Sequence, residues 1–399
     1  MIGVPIPNRS QLSDLRGATR MTIDATESIA EVVETMHRTI QLRPGPLGVA
    51  AADRPRGITG FVYRCVRGGI RLVGRAVDAG FAGVTPLLPV GESSPSLDAY
   101  RSAANGVYGD YLLRTGNPLA IDMSLRYRGH CVDLQNPMRV VEQQSDVTSA
   151  SKLVVLVHGL CMNERQWCRN EHDHGAALAD EQGYLPLYLR YNSGLHIASN
   201  GRLLAEMLET LVGNWSAPLD ELVIIGHSMG GLVARSACHH ARAAGHAWPT
   251  TLRKLVFLGT PHHGAPLERG GHGLDRVMQL SPYSIPFTRL SKARSAGITD
   301  LRHGAIADGD GDAIVALPAG VKCYAAAAVR AAKRSQLSER LIGDGLVPLD
   351  SALGRHSDSA RRLDIPKNRQ WVGYGMGHLD LLDHPEVYGQ LSTWLQEPG

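Results

Sequence analysis

The stretch Leu222-Val223-Ile224-Ile225-Gly226-His227-Ser228-Met229-Gly230-Gly231 decides the fold of this 399-residue chain. Its first four residues form a short apolar run rich in β-branched side chains, the composition of a buried strand. The residues after it, Leu232-Val233-Ala234-Arg235-Ser236-Ala237-Cys238, read as a helix. A serine in G-x-S-x-G between a strand and a helix sits on a sharp, strained turn. Gly226 and Gly230 keep side-chain bulk away where the two elements approach, and the Ser228 hydroxyl is exposed above a helix N-terminus. The spacing singles out Ser228 as a nucleophile and asks for a sheet to carry the turn.

Working outward, the apolar runs 153–157, 185–189 and 255–258 also lack alternation, as strands buried on both faces do. Helical stretches such as 201–211 separate them, and 321–329 and 371–374 are later strand candidates. The β-α-β-α rhythm predicts an α/β fold, a mostly parallel central sheet with helices on both faces. Leu119, Ile121, Met123, Leu125 and Tyr127 alternate with polar or small residues and predict an amphipathic strand near the start of a catalytic region at 116–399.

Residues 1–115 read as a separate N-terminal helical region. Ile29, Val32, Val33, Met36 and Ile40 predict an amphipathic helix over 23–42. A Gly/Pro-rich linker runs to Gly57, and a second helical segment follows with Ile58, Phe61, Val62, Val66, Val73 and Val77. Around it Arg54, Arg56, Arg64, Arg67, Arg71 and Arg75 occur with no acid before Asp78. Such a segment is either the solvated face of a cap or a basic surface for peripheral contact with an anionic membrane. Gly68, Gly69 and Gly74 weaken the helix and favour the cap. Another loop follows around Pro86, Pro89 and Pro95.

A net charge of +3 is too mild to imply nucleic-acid binding, and no motif for it is present. The first nine residues lack the apolar core of a secretory signal, and no run reaches the ~18–20 apolar residues that span a bilayer. The expectation is a cytoplasmic protein with peripheral membrane contact at most. The six cysteines are scattered without a C-x-x-C pair; Cys161 and Cys168 are close enough in sequence to bridge, but inert thiols are expected. His172 and His174 lack a metal motif and read as polar surface or loop residues.

A serine nucleophile needs a base, an acid to orient the base, and donors for the oxyanion. On a sheet of this kind the chain order is Ser, then Asp or Glu, then His. The base candidate is His378, in Tyr374-Gly375-Met376-Gly377-His378-Leu379-Asp380; its competitor, His384, precedes Pro385 and suits a helix cap. The acid candidate is Asp344 in Gly343-Asp344-Gly345-Leu346-Val347, with Asp300, Asp308, Asp310, Asp312 and Asp350 as alternatives. The oxyanion donors are the backbone N–H groups of Met229 and Leu160, the latter in the loop after 153–157, where His158 reads as a loop-stabilising hydrogen-bonder.

Over roughly residues 150–395 the chain resembles the α/β-hydrolase superfamily, and its lipase branch in particular. Bacterial triacylglycerol lipases carry segments similar to Asp344-Gly345-Leu346-Val347 and His378-Leu379-Asp380 around their acid and base. Thr260-Pro261-His262-His263-Gly264 resembles a loop of lipases and GPI inositol-deacylases. The resemblance implies a serine hydrolase that cleaves carboxylic esters of apolar acyl groups through an acyl-enzyme, without a cofactor. An acyltransferase on the same triad and a non-catalytic membrane-associated interaction protein are the alternatives. In the calcium-containing lipases the aspartate two residues after the base helps hold the ion. Asp380 matches it, but no partnering aspartate stands at the expected place upstream of Asp344. Residues 308–312 resemble half an EF-hand, yet Ala313 and Ala319 replace the required Gly and Glu. The apolar insertion at 266–297, with Leu274, Val277, Met278 and Leu280, is placed to act as a lid.

Overall fold

The central sheet consists of β1 (Ser124–Tyr127), β2 (His130–Cys131), β3 (Lys152–Val157), β4 (Leu185–Arg190), β5 (Glu221–His227), β6 (Leu252–Leu258), β7 (Lys322–Val329) and β8 (Gln370–Tyr374). It is seen in a computed structural model that describes residues 8–42, 58–84, 95–145, 147, 149–264, 295–308, 314–332 and 343–398. The strand order is β2-β1-β4-β3-β5-β6-β7-β8. Strands β3 to β8 run parallel; β1 alone pairs antiparallel, with β2 and β4. The chain passes from β3 outward to β4, crosses back to β5, and then continues to the other edge. This reversal makes β3 and β5 neighbours at a topological switch point, where open α/β sheets place their ligands.

The absence of alternation in the strands follows from burial on both faces. Leu153, Val155, Ile224 and Phe257 belong to one core with Leu204, Leu208, Leu232 and Val233 of α6 (Ile197–Gly213) and α7 (Met229–Ala244). Val154, Leu156, Ile225 and Val256 belong to the opposite core with Leu178 of α5 (His174–Gln182) and Leu391 and Trp394 of the C-terminal helix, Pro385–Gln396. Helices therefore cover both faces of a mostly parallel sheet.

Two compact units divide the chain: 1–98 with 115–119, and 99–114 with 120–399. In the first, α1 (Arg9–Leu42) packs on α2 (Ile58–Val84). Helix α1 begins well before the amphipathic stretch expected at 23–42, because Asn8 and Gln11 cap it reciprocally, at 3.0 and 2.9 Å. Arg16 holds the Asp78 carboxylate with both guanidinium donors at 2.7 and 2.8 Å. Arg71 pairs with Glu27. Gly74 is a contact point, since a Cβ there would lie 2.8 Å from Ile23. Of the arginine stripe, the side chains of Arg54, Arg56, Arg64 and Arg67 lie outside the described residues. Among the described residues no helix is long and apolar enough to cross a membrane.

The second unit includes residues 99–114 of a helix that the sequence reading does not anticipate, α3 (Pro95–Arg114), kinked at Tyr108. The boundary thus differs from the expected 115/116: residues 99–114 belong with the unit that holds the sheet. Their apolar side chains, Ala99, Ala103, Ala104, Val107 and Leu112, are buried along with Ser102 and Asn105. The expected strand over 119–127 is shorter, Ser124–Tyr127. Ahead of it the backbone is held by side chains of α3: Ile121 N–H donates to Asn105 Oδ1 at 3.0 Å, and Arg101 donates to the Ala120 carbonyl at 2.7 Å. Of the lid segment 266–297, residues 266–294 lie outside the described residues.

Candidate active site

Ser228 follows β5 directly and has φ 55° and ψ −124°, a left-handed geometry that costs a non-glycine residue energy. The turn is held by Ser228 N–H donating to the Leu258 carbonyl at 2.8 Å and Gly231 N–H donating to the Ser228 carbonyl at 3.1 Å. The glycines are required by close approach. A Cβ at Gly230 would lie 2.1 Å from the Val157 carbonyl oxygen, and one at Gly226 would lie 2.5 Å from Gly231 Cα. Backbone meets backbone at both places, so only glycine fits.

The loop after β3 lies against this turn. A Cβ at Gly159 would stand 3.1 Å from the Ser228 Cβ. Leu160 and Met229 are both buried, and among the described residues neither N–H has a protein acceptor. The loop is braced beyond Leu160. Cys161 N–H donates to Ser193 Oγ at 3.0 Å, and Asn163 forms a capping box with Gln166. Glu164 and Arg190 form a buried two-pronged ion pair, 2.6 Å at each contact. His158 donates from Nδ1 to the Gly159 carbonyl at 2.9 Å and stacks on Tyr191.

Asp344 lies in the loop between β7 and β8. One carboxylate oxygen accepts the N–H groups of Leu346 and Val347, at 2.9 and 2.8 Å. The other meets His378 Nδ1 at 2.6 Å, with both side chains buried. The carboxylate is therefore locked by three donors, and the His378 ring is oriented by it. His378 Nε2 is buried and has no hydrogen-bond partner among the described residues. His378 shares a cleft with Ser228 and His227, lined further among the described residues by Gly159 and the apolar side chains of Leu160, Met162, Pro261, Leu301, Leu346 and Val347.

The loop carrying His378 is gripped by two further imidazoles. His227 Nε2 lies 3.2 Å from the His378 carbonyl, and His174 Nε2 lies 3.0 Å from the Leu381 carbonyl. A carbonyl only accepts, so both rings carry their proton on Nε2. His174 Nδ1 then accepts from His172 Nε2 at 2.8 Å. Burial favours the neutral forms: it pushes His227 well below its ordinary value and His174 down to about 4. His174 is thus an interior residue and not the surface or loop residue the sequence suggested. Its partner, Leu381, is 207 positions away, so no local pattern announces the contact.

The other candidates are committed elsewhere. Asp300 accepts Ile197 N–H at 2.8 Å and faces His196; Asp350 faces Arg355; Asp308 pairs with Arg202. Asp310 and Asp312 lie outside the described residues. His384 caps the C-terminal helix through Glu386 N–H, as expected. Asp380 accepts Gly377 N–H at 2.8 Å, a contact that shapes the base loop. Cys161 and Cys168 are both free thiols, and burial pushes Cys161 up to about 12.

Residues 149–320 match the PGAP1-like alpha/beta domain. No curated protein matches the chain in sequence. Among solved structures, the chain is similar to the mature form of Bacillus licheniformis lipase BlEst2, at 17% identity over 62% of this chain and 92% of that one, with a TM-score of 0.42. The propeptide form of the same lipase is similar at 16% identity over 70% of this chain and 54% of that one, TM-score 0.41. A thermophilic esterase from Thermogutta terrifontis is similar at 16% identity over 63% of this chain and 91% of that one, TM-score 0.36.

Proposed function

We propose that the protein is a serine hydrolase of carboxylic esters with an apolar acyl group. The observation that carries this reading is the buried 2.6 Å contact of Asp344 with His378, in one cleft with a serine on a strained strand-to-helix turn. Ser228 Oγ attacks the ester carbonyl while His378 Nε2 takes its proton. The negative oxygen of the tetrahedral intermediate is received by the N–H groups of Leu160 and Met229. Asp344 holds the imidazole in the Nδ1–H tautomer and stabilises the imidazolium that forms. The intermediate collapses, His378 returns the proton to the departing alcohol, and an acyl-enzyme remains on Ser228. Water, activated by the same imidazole, then releases the acid.

The apolar walls of the cleft support an apolar acyl group, because they offer a charged or strongly polar group no compensation for lost hydration. The PGAP1-like match, with the likeness of Thr260–Gly264 to a loop of GPI inositol-deacylases, favours a second reading, a deacylase. Hydrolysis should be profiled over acyl lengths, with Ser228→Ala as control. The variant is expected to lose about 10³–10⁶-fold in turnover with its fold retained. Hydrolysis that persists in Ser228→Ala refutes the assignment. Acyl transfer to added alcohol in preference to water reassigns the enzyme as a transferase.

A further inference from the structure

Helix α3 lies outside the matched domain at 149–320 and before the first strand, yet residues 99–114 meet the loop that carries Leu160 more closely than ordinary side-chain packing allows. A Cβ at Gly106 would lie 2.3 Å from Cys161 Sγ and 2.9 Å from both the Cα and the backbone N of Cys161. The helix backbone is therefore seated directly on the residue after Leu160. Cys161 itself has φ 60°, an unfavourable geometry that needs such external support. One turn earlier, Ser102 Oγ accepts from Asn163 Nδ2 at 3.0 Å, and Asn163 in turn nucleates the capping box that ends the loop.

The helix also grips the segment that braces the loop from behind. Asn192 Nδ2 donates to the Gly109 carbonyl at 3.0 Å, and a Cβ at Gly194 would lie 2.1 Å from the Asn105 carbonyl. Between these two residues stands Ser193, whose Oγ accepts Cys161 N–H. Finally, Ser295 Oγ donates to the Gly106 carbonyl at 2.7 Å. That carbonyl lies near the kink at Tyr108, where the helical backbone geometry breaks.

We infer that α3 is a positioning element of the oxyanion site: Ser102 and Gly106 hold the Leu160–Asn163 loop in the one conformation that presents the Leu160 N–H beside Ser228. The inference rests on the hydrolase reading for its catalytic consequence, but its structural content does not. Neither residue touches substrate. Both act through the loop, so their loss is expected in the transition state, where the oxyanion forms, and not in ground-state binding.

The test uses the full chain with Gly106→Ala, whose new Cβ must displace the Cys161 backbone, and the milder Ser102→Ala. Hydrogen–deuterium exchange of the 158–163 segment is expected to speed up by tenfold or so in both variants, with β5 unchanged. On a short ester, kcat is expected to fall by about 10²-fold in Gly106→Ala, with KM changed less than threefold. Affinity for a trifluoromethyl ketone, which forms an oxyanion on Ser228, is expected to fall by the same factor as kcat/KM. Unchanged exchange at 158–163 overturns the inference, whatever the activity. Loss of kcat without loss of ketone affinity overturns its catalytic part. If Gly106→Ala does not fold, Ser102→Ala carries the same three measurements. A wild-type protein without Ser228-dependent hydrolysis refutes the hydrolase reading and leaves the exchange result to decide the structural claim.

Discussion

His227 donates its Nε2–H to the carbonyl of His378, 3.2 Å away, so the residue before Ser228 holds the backbone of His378. The two rings stand 4.7 Å apart, and both are buried. Residues 151 positions apart in sequence are thereby tied beside the cleft that Ser228 and His378 share.

This tie predicts that His227→Leu lowers kcat by roughly tenfold through a loosened base, while KM for a short ester stays nearly constant. His227→Gln, which can still offer an N–H at similar reach, should recover most of the loss. Equal losses in both variants would mean that packing, and not the hydrogen bond, is what matters.

Ser228, His378 and Asp344 should behave as a unit. Ser228→Ala combined with His378→Ala is expected to be scarcely worse than either alone, while Asp344→Asn costs about 10²–10⁴-fold by permitting the wrong tautomer. Steady-state kinetics on one ester suffices, and strictly multiplicative losses would argue against a shared mechanism.

The Glu164–Arg190 pair should be costly to break from one side. Glu164→Ala leaves a buried guanidinium without its carboxylate and is expected to destabilise the protein by about 3–5 kcal/mol. Replacing both partners, as Glu164→Leu with Arg190→Met, should restore much of that. Urea unfolding midpoints of the wild type and the two variants make the comparison; a double variant as unstable as the single one contradicts it.

Stability should fall on the acid side through buried histidines. Burial pushes His158 and His174 down to about 4, and lowers His227 and His262 in the same direction. As pH drops below the ordinary histidine value of about 6.5, the unfolded chain binds protons that the folded chain refuses. The neutral folded forms therefore lose stability between about pH 6.5 and 4, by up to about 3 kcal/mol for each of His158 and His174. Below that window His158 and His174 protonate in the folded state too, and their contribution to the slope ends. Unfolding midpoints measured at intervals from pH 7 to 4 should descend, and His174→Gln should make the descent shallower. A slope untouched by that substitution would reassign the acid sensitivity to other groups.

The parallel strands were legible in sequence because burial on both faces leaves an uninterrupted apolar run, as in 153–157 and 222–225. The turn at Ser228 was legible because two glycines at fixed spacing mark backbone contacts that no side chain survives. Asp344 and His378 were legible from order and from flanking glycines. Helix α3 was not. It is buried around much of its circumference, with small apolar residues such as Ala103 and Ala104 mixed among buried Ser102 and Asn105, so no stripe of period 3.6 stands out. The start of α1 carried a readable signal, the Asn8 and Gln11 pair, which an eye fixed on hydrophobic spacing passes over. The interior place of His174 had no signal of that kind, because burial of an imidazole is decided by a distant carbonyl.

The seating of Gly106 on Cys161 also bears on how this protein can be shortened or transplanted. A fragment cut at residue 116, or at the edge of the matched domain at 149, retains every residue of the triad and still loses the prop beneath Leu160. The smallest unit worth grafting, evolving or expressing alone therefore begins at the head of α3, near residue 95.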